Sequence, residues 1–185
     1  MITKAELDKL GICNSGYGYF IQHYESIKLE DLIKDLLKHD QEIQMEYNTE
    51  ASIWCFYLLT RVLSPIENIR VALYAGESTL AYAKEEDKQH LQSALDLIHN
   101  WLENPSQTTL EKLRLIDIPI NKINRSIGYA LRTVLDNNKS WTVKYCSYWG
   151  ILCAKVCHNK YREILDYAVS LSHESDKGER NVYEL

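Results

Sequence analysis

The stretch "SPIENIRVALYAGESTLAYA", Ser64–Ala83, decides the fold. Ser64 stands where an N-cap belongs, Pro65 follows at the first helical position and Glu67 sits two residues further on. Together the three announce a helix start. Ile66, Ile69, Leu73 and Leu80 then recur along one face, which predicts a helix ending near Ala83. The run "KEEDK" reads as a turn. Beyond it, "DKQHLQSALDLIHNWLENPS", Asp87–Ser106, places Leu91, Ala94, Leu95, Ile98, Trp101 and Leu102 on one stripe, and Asn104–Pro105 ends it. His90 and His99 fall about 180° apart around that axis, so they cannot chelate one metal. His99, beside Asp96 and Glu103, reads as a solvated neighbour, and Trp101 as core.

Working outward, the same periodicity fills most of the chain. Thr3 and Glu6 form a capping box for a short first helix. "CNSGYGYF", Cys13–Phe20, leaves helix and irregular turn both open. In "KLEDLIKDLLKHD", Leu29, Leu32, Ile33, Leu36 and Leu37 make a half-buried helix. In "NTEASIWCFYLLTRVL", apolar residues from Ile53 to Leu59 surround the axis, which predicts a central helix starting near Asn48–Thr49–Glu50. Thr108 and Glu111 suggest another capping box. Asp117 and Pro119 suggest the start of a helix with the stripe Ile120, Ile123, Ile127, Ala130, Leu131 and Val134. Ser140 should cap the last major helix, with a break around His158–Lys160 and a continuation to about Leu171. Seven Gly and three Pro are few for 185 residues and disfavour many short strands. The expectation is an all-α fold: one compact multi-helix domain, residues 1–172, of roughly seven to nine helices, with a polar tail at 173–185.

Hydrophobic residues at 45% and charged residues at 25% describe a globular chain rather than a disordered one. The formal charge of −5 argues against a protein whose main task is holding nucleic acid, and suits a basic partner. The opening "MITKAELDKLGIC" is charged and lacks the apolar core of a signal peptide, and the apolar runs Ala51–Thr60 and Tyr145–Ala154 are about half a membrane span. Both point to a cytoplasmic protein without a membrane partner. Five cysteines, with no CxxC pair, fit reduced thiols.

The constellations that could carry chemistry are weak. Cys146, Cys153 and Cys157 share one helical sector, yet Cys146 lies about 10 Å from Cys153 along the axis, too far for one zinc ion. Core packing is the better account of all three. Two glycines in "GYGYF" do not make a dinucleotide loop, since Ile21 stands where the third would be. His39–Asp40 resembles one fragment of a phosphohydrolase metal site without its other ligands. No serine sits in a nucleophile elbow. These readings predict no catalytic set, no cofactor and no metal. Two surfaces are candidates for a protein partner. On the helix after Ser140, Lys144, Tyr148, Ile151 and Lys155 share a face, with Tyr148 and Ile151 as apolar anchors between charges. Packing of the two under lysine stems is the plainer alternative. The acidic run Glu85, Glu86 and Asp87 could face a basic partner, although such a run is more often a solvated loop.

"CNSGYGYF" is similar to a Cys-x-x-Gly-x-x-aromatic-Phe opening, and "ASIWCFYLLTRVL" to an aromatic-rich helix ending in Leu-x-x-x-Leu. In "RVALYAGESTLAYAKEEDKQHLQSALDLIHNWLENPS", Arg70, Ala72, Ala75 and Glu77 lie on one helix, Asp87 follows in an acidic run, and Trp101–Leu102 closes the next helix. With these pieces the chain resembles the all-helical immunity proteins of bacterial polymorphic-toxin systems, the fifth immunity family and its relatives. It departs at Asp87-Lys88-Gln89-His90, where that family tends to show Asp-x-Arg-Pro-Arg. The resemblance implies a non-catalytic inhibitor that neutralises a toxin by covering its active site or substrate path. It brings no contact residues with it. A phage-borne inhibitor of host defence would use the same physics on another target, and a helical hydrolase or nucleic-acid enzyme is the alternative from another class. Self-association stays open.

Overall fold

In the computed structural model, the described residues are 1–118, 124–136 and 160–175. The fold is all-α. Among the described residues there are ten helices and one short antiparallel pairing, in which β1 (Ile2–Thr3) meets β2 (Ser26–Ile27) with Ile2 opposite Ile27. The chain divides into two compact units, Met1–Val62 and Leu63–Leu185. Among the described residues no helix is long and apolar enough to cross a membrane.

The first unit holds α1 (Lys4–Leu10), α2 (Asn14–His23), α3 (Leu29–Lys38), α4 (Asp40–Tyr47) and α5 (Ala51–Val62). The Thr3–Glu6 capping box is formed, with the Thr3 amide donating to Glu6 Oε2 at 2.7 Å. "CNSGYGYF" resolves into helix, since Gly16 and Gly18 both lie inside α2. α5 is central, packed against α1, α3 and α4. Phe56 and Leu59 are fully buried on it, each a gain of about 1.5–3 kcal/mol over exposure. Its start differs in detail from the sequence expectation. Asn48 ends α4 in a left-handed conformation (φ 49°), and the Ala51 amide donates instead to Asp40 Oδ1 at 2.6 Å. A carboxylate eleven residues upstream thereby takes one of the free N–H groups of the first turn.

The second unit contains α6 (Pro65–Leu80), α7 (Glu85–Glu103), α8 (Gln107–Arg114), α9 (Arg125–Leu135) and α10 (Tyr161–Ser175). The Ser64 box closes as its residues require: the Ser64 amide donates to Glu67 Oε2 at 2.6 Å and the Glu67 amide to Ser64 Oγ at 3.3 Å. α6 packs against α7, α9 and α10. Ile69 and Leu73 from α6, Leu95 and Ile98 from α7 and Ile127 from α9 share one buried cluster. On α10, Ile164, Leu165, Ala168 and Leu171 are buried at i, i+1, i+4 and i+7.

Three boundaries depart from the sequence reading. Residues of "KEEDK" do not make the turn: Lys84, extended, is the N-cap, and Glu85, Glu86 and Asp87 form the first turn of α7. There they complement the positive end of the helix dipole. α8 is capped by Ser106, whose Oγ accepts from the Thr109 amide at 3.2 Å, so Thr108 and Glu111 lie within the helix and form no box. α9 begins at Arg125 rather than near Asp117. The Asp117 carbonyl lies 2.9 Å from His90 Nε2, tied to α7 outside any helix. Positions 120 and 123 of the expected stripe lie outside the described residues.

Candidate functional site

A polar stripe runs along α6 opposite its buried face. Arg70, Tyr74 and Glu77, spaced i, i+4 and i+7, fall on one side of the helix. His99, Leu102 and Glu103, at i, i+3 and i+4, do the same on α7, and Tyr167 comes from α10. Together they line a solvent-open cavity of about 220 Å³. Inside it, His99 Nε2 and Glu77 Oε1 lie 2.8 Å apart, with both side chains close to half exposed. Tyr74 and Tyr167 stack at 4.6 Å between ring centroids, tilted by 33°. Arg70 and Glu103 are exposed at the rim and have no ion pair among the described residues.

Chemically this is a mixed-charge recess with aromatic walls. An imidazole held by a carboxylate is half of an acid–base arrangement. Among the described residues, its lining of Arg, Tyr, Glu, His and Leu contains no Ser, Thr or Cys nucleophile. Tyr and Arg around an accessible recess are also the composition of protein-recognition anchors.

Sequence reasoning missed this site. His99 is no isolated solvated neighbour of Asp96 and Glu103, for its ring is paired with Glu77, 22 residues earlier. The signal that could have pointed to it is the i, i+4, i+7 polar spacing on α6. The partner on α7 is not visible from spacing within one helix. Trp101 is buried in the core cluster, as packing predicts.

Of the residues singled out from sequence, the structure brings Glu85, Glu86 and Asp87 together on α7. Glu85 pairs with Lys88 at 2.7 Å and Glu86 with Lys84 at 3.5 Å, so the acidic run is partly neutralised by its own neighbours. Exposed pairs of this kind contribute little to stability. Lys144, Tyr148, Ile151 and Lys155 lie outside the described residues, as do Cys146, Cys153 and Cys157. His39 and Asp40 have local partners. His39 Nδ1 lies 3.0 Å from the Asp35 carbonyl oxygen and 3.4 Å from Asp35 Oδ1, and Asp40 caps α5. Among the described residues no group of three or more His, Cys, Asp or Glu is placed to hold a metal ion.

The first unit carries an aromatic cluster. Trp54 meets Tyr47 at 5.2 Å and Tyr19 at 5.7 Å, and Tyr19 meets His23 at 4.3 Å. The Tyr24 hydroxyl donates to Asp35. Burial, and then that hydrogen bond, push the Tyr24 phenol well above its ordinary range. The adjoining recess, about 30 Å³, is lined by Leu7, Phe20, Leu32 and Leu58 among others and has room for about one water. Cys55 is fully buried on α5, and burial pushes its thiol up. These groups are packing.

Compared with protein-family models, curated proteins and solved structures, the chain finds no match in any of the three.

Proposed function

We propose that the protein is a non-catalytic inhibitor of the immunity type, which neutralises a protein toxin by occluding it, with the α6–α7–α10 recess in the contact surface. The observation that carries this reading is the Tyr74–Tyr167 pair at the mouth of an accessible cavity, beside Arg70, which has no ion pair among the described residues. Residues of that kind supply most of the binding energy in protein interfaces, because they bury large area at small entropic cost. Two further features support it. Arg70 and Glu77 belong to the segment that resembles the immunity family, and the chain's charge of −5 suits a basic target such as a nuclease. Such occlusion needs no cofactor.

The test is co-expression with the toxin encoded beside this chain's gene, followed by calorimetric titration of the purified pair. Growth rescue and a stoichiometric complex are expected. Absence of both overturns the reading.

A second reading, a helical hydrolase, is favoured by one observation, the His99–Glu77 hydrogen bond within an open cavity. It requires turnover of some substrate that His99→Ala abolishes. Toxin neutralisation by His99→Ala protein without any turnover by the wild type counts against it.

A further inference from the structure

We propose that the recess lined by Arg70, Tyr74, Glu77, His99, Glu103 and Tyr167 is a receptor for one arginine side chain of the partner protein, an inference that rests on the protein-binding reading above. Its acceptors are in surplus. Glu77 uses Oε1 on His99, while its second oxygen and both oxygens of Glu103 have no donor among the described residues. Among the described lining residues, two carboxylates, Glu77 and Glu103, face the single guanidinium of Arg70. A cation is therefore favoured over an anion.

Shape narrows the choice of cation. A guanidinium is planar, carries five N–H donors in a fixed fork, and stacks on aromatic faces while its edge meets a carboxylate. Tyr74 and Tyr167 supply the faces, and Glu77 and Glu103 the edge acceptors. Leu102, buried and also in the lining, is the apolar contact for the methylene stem. A volume of about 220 Å³ is that of roughly seven waters, enough for one long side chain and too small for a folded segment.

Among the described lining residues Arg70 is the one guanidinium opposing the carboxylates, and this makes the proposal sharply testable. The probe is Nα-acetyl-arginine N-methylamide, followed by NMR on the full chain, with the matching glutamate compound as control. Saturable shifts of the Tyr74 and Tyr167 ring signals are expected with the arginine probe alone. Glu103→Gln should weaken that binding and Arg70→Ala should tighten it, each about threefold, the factor one unit charge at about 6 Å gives in water. Both side chains are exposed and unpaired among the described residues, so neither change threatens folding. A general loosening of the surface would move both variants the same way.

No saturable shift, an equal response to the glutamate probe, or variants that shift together would overturn the inference. A toxin that binds wild type and Glu103→Gln equally tightly also overturns it, yet leaves the protein-binding reading standing. Saturable arginine binding without any toxin complex supports the receptor and sinks that reading.

Discussion

Replacing Gly76 by alanine tests how closely α6 approaches α9. In an exposed helix the change would stabilise by about 0.5–1 kcal/mol, because alanine loses less backbone entropy than glycine. At Gly76 the added Cβ would stand 2.6 Å from Ile127 Cγ1 and 3.4 Å from both Ile127 Cδ1 and Ser126 Oγ. The offending atom is not the far end of a flexible chain. Cγ1 is attached to the branched Cβ of a residue that is 1% exposed and sits in the core cluster. Branched side chains within helices keep one strongly preferred rotamer, so relief requires α9 itself to move. Overpacking of this kind costs about 1–3 kcal/mol. At the middle of both ranges, subtracting the helix gain leaves a net loss of about 1 kcal/mol, which corresponds to roughly 2–4 °C in melting temperature for a chain of this length. Urea and thermal unfolding measure it. The control is Gly18→Ala on α2, where an added Cβ meets nothing within 4 Å, and a gain of about 0.5–1 kcal/mol is expected. A Gly76→Ala protein as stable as wild type, or a Gly18→Ala protein destabilised by as much, refutes the reasoning.

Ser64→Ala removes the hydroxyl of the α6 capping box and should cost about 1 kcal/mol in urea titration; Ser64→Gly should cost less. Cys13 is half-buried while Cys55 is enclosed with its thiol pushed up, so peptide mapping after brief alkylation of the native protein should label Cys13 and leave Cys55 unmodified until unfolding. The Tyr24 phenol holds its proton more tightly folded than unfolded, so its contribution is intact below about pH 10 and is lost as pH rises beyond that. Stability measured from pH 8 to 11 should therefore fall at the alkaline end, and Tyr24→Phe should flatten the fall; an unchanged slope in that variant contradicts the assignment.

What the sequence made legible was local. The stripe of Leu91, Ala94, Leu95, Ile98 and Leu102 could be read because one face of one helix repeats every three or four residues, and all five are buried. The boxes at Thr3–Glu6 and Ser64–Glu67 were equally plain, since each closes within a single turn. The illegible features are those made by residues far apart in the chain. Helix α4 buries only Ile43, so it has almost no stripe to read. The start of α5 depends on Asp40, eleven residues away, and the pairing of β1 with β2 spans only two residues on each side.

The recess shows the same limit most clearly. Along α6, Arg70, Tyr74 and Glu77 look like any solvated face, and along α7 His99 and Glu103 look the same. Only the packing of three helices turns these faces toward a common space, where Glu77 meets His99 and Tyr74 meets Tyr167. Gly76 belongs to this account as well. A glycine inside a helix weakens it, and its use here becomes intelligible once Ile127 of α9 is seen pressed against it. The close approach buries Gly76, whereas Glu77, one residue and about 100° further round the helix, stays exposed. The close packing at Gly76 and the recess are therefore carried by a single helix. A change at Gly76 that displaces α9 acts on the buried side, whereas Glu103→Gln acts only at the rim. If the recess is a recognition site, the first should lower stability before it alters affinity, and the second should alter affinity with no loss of stability.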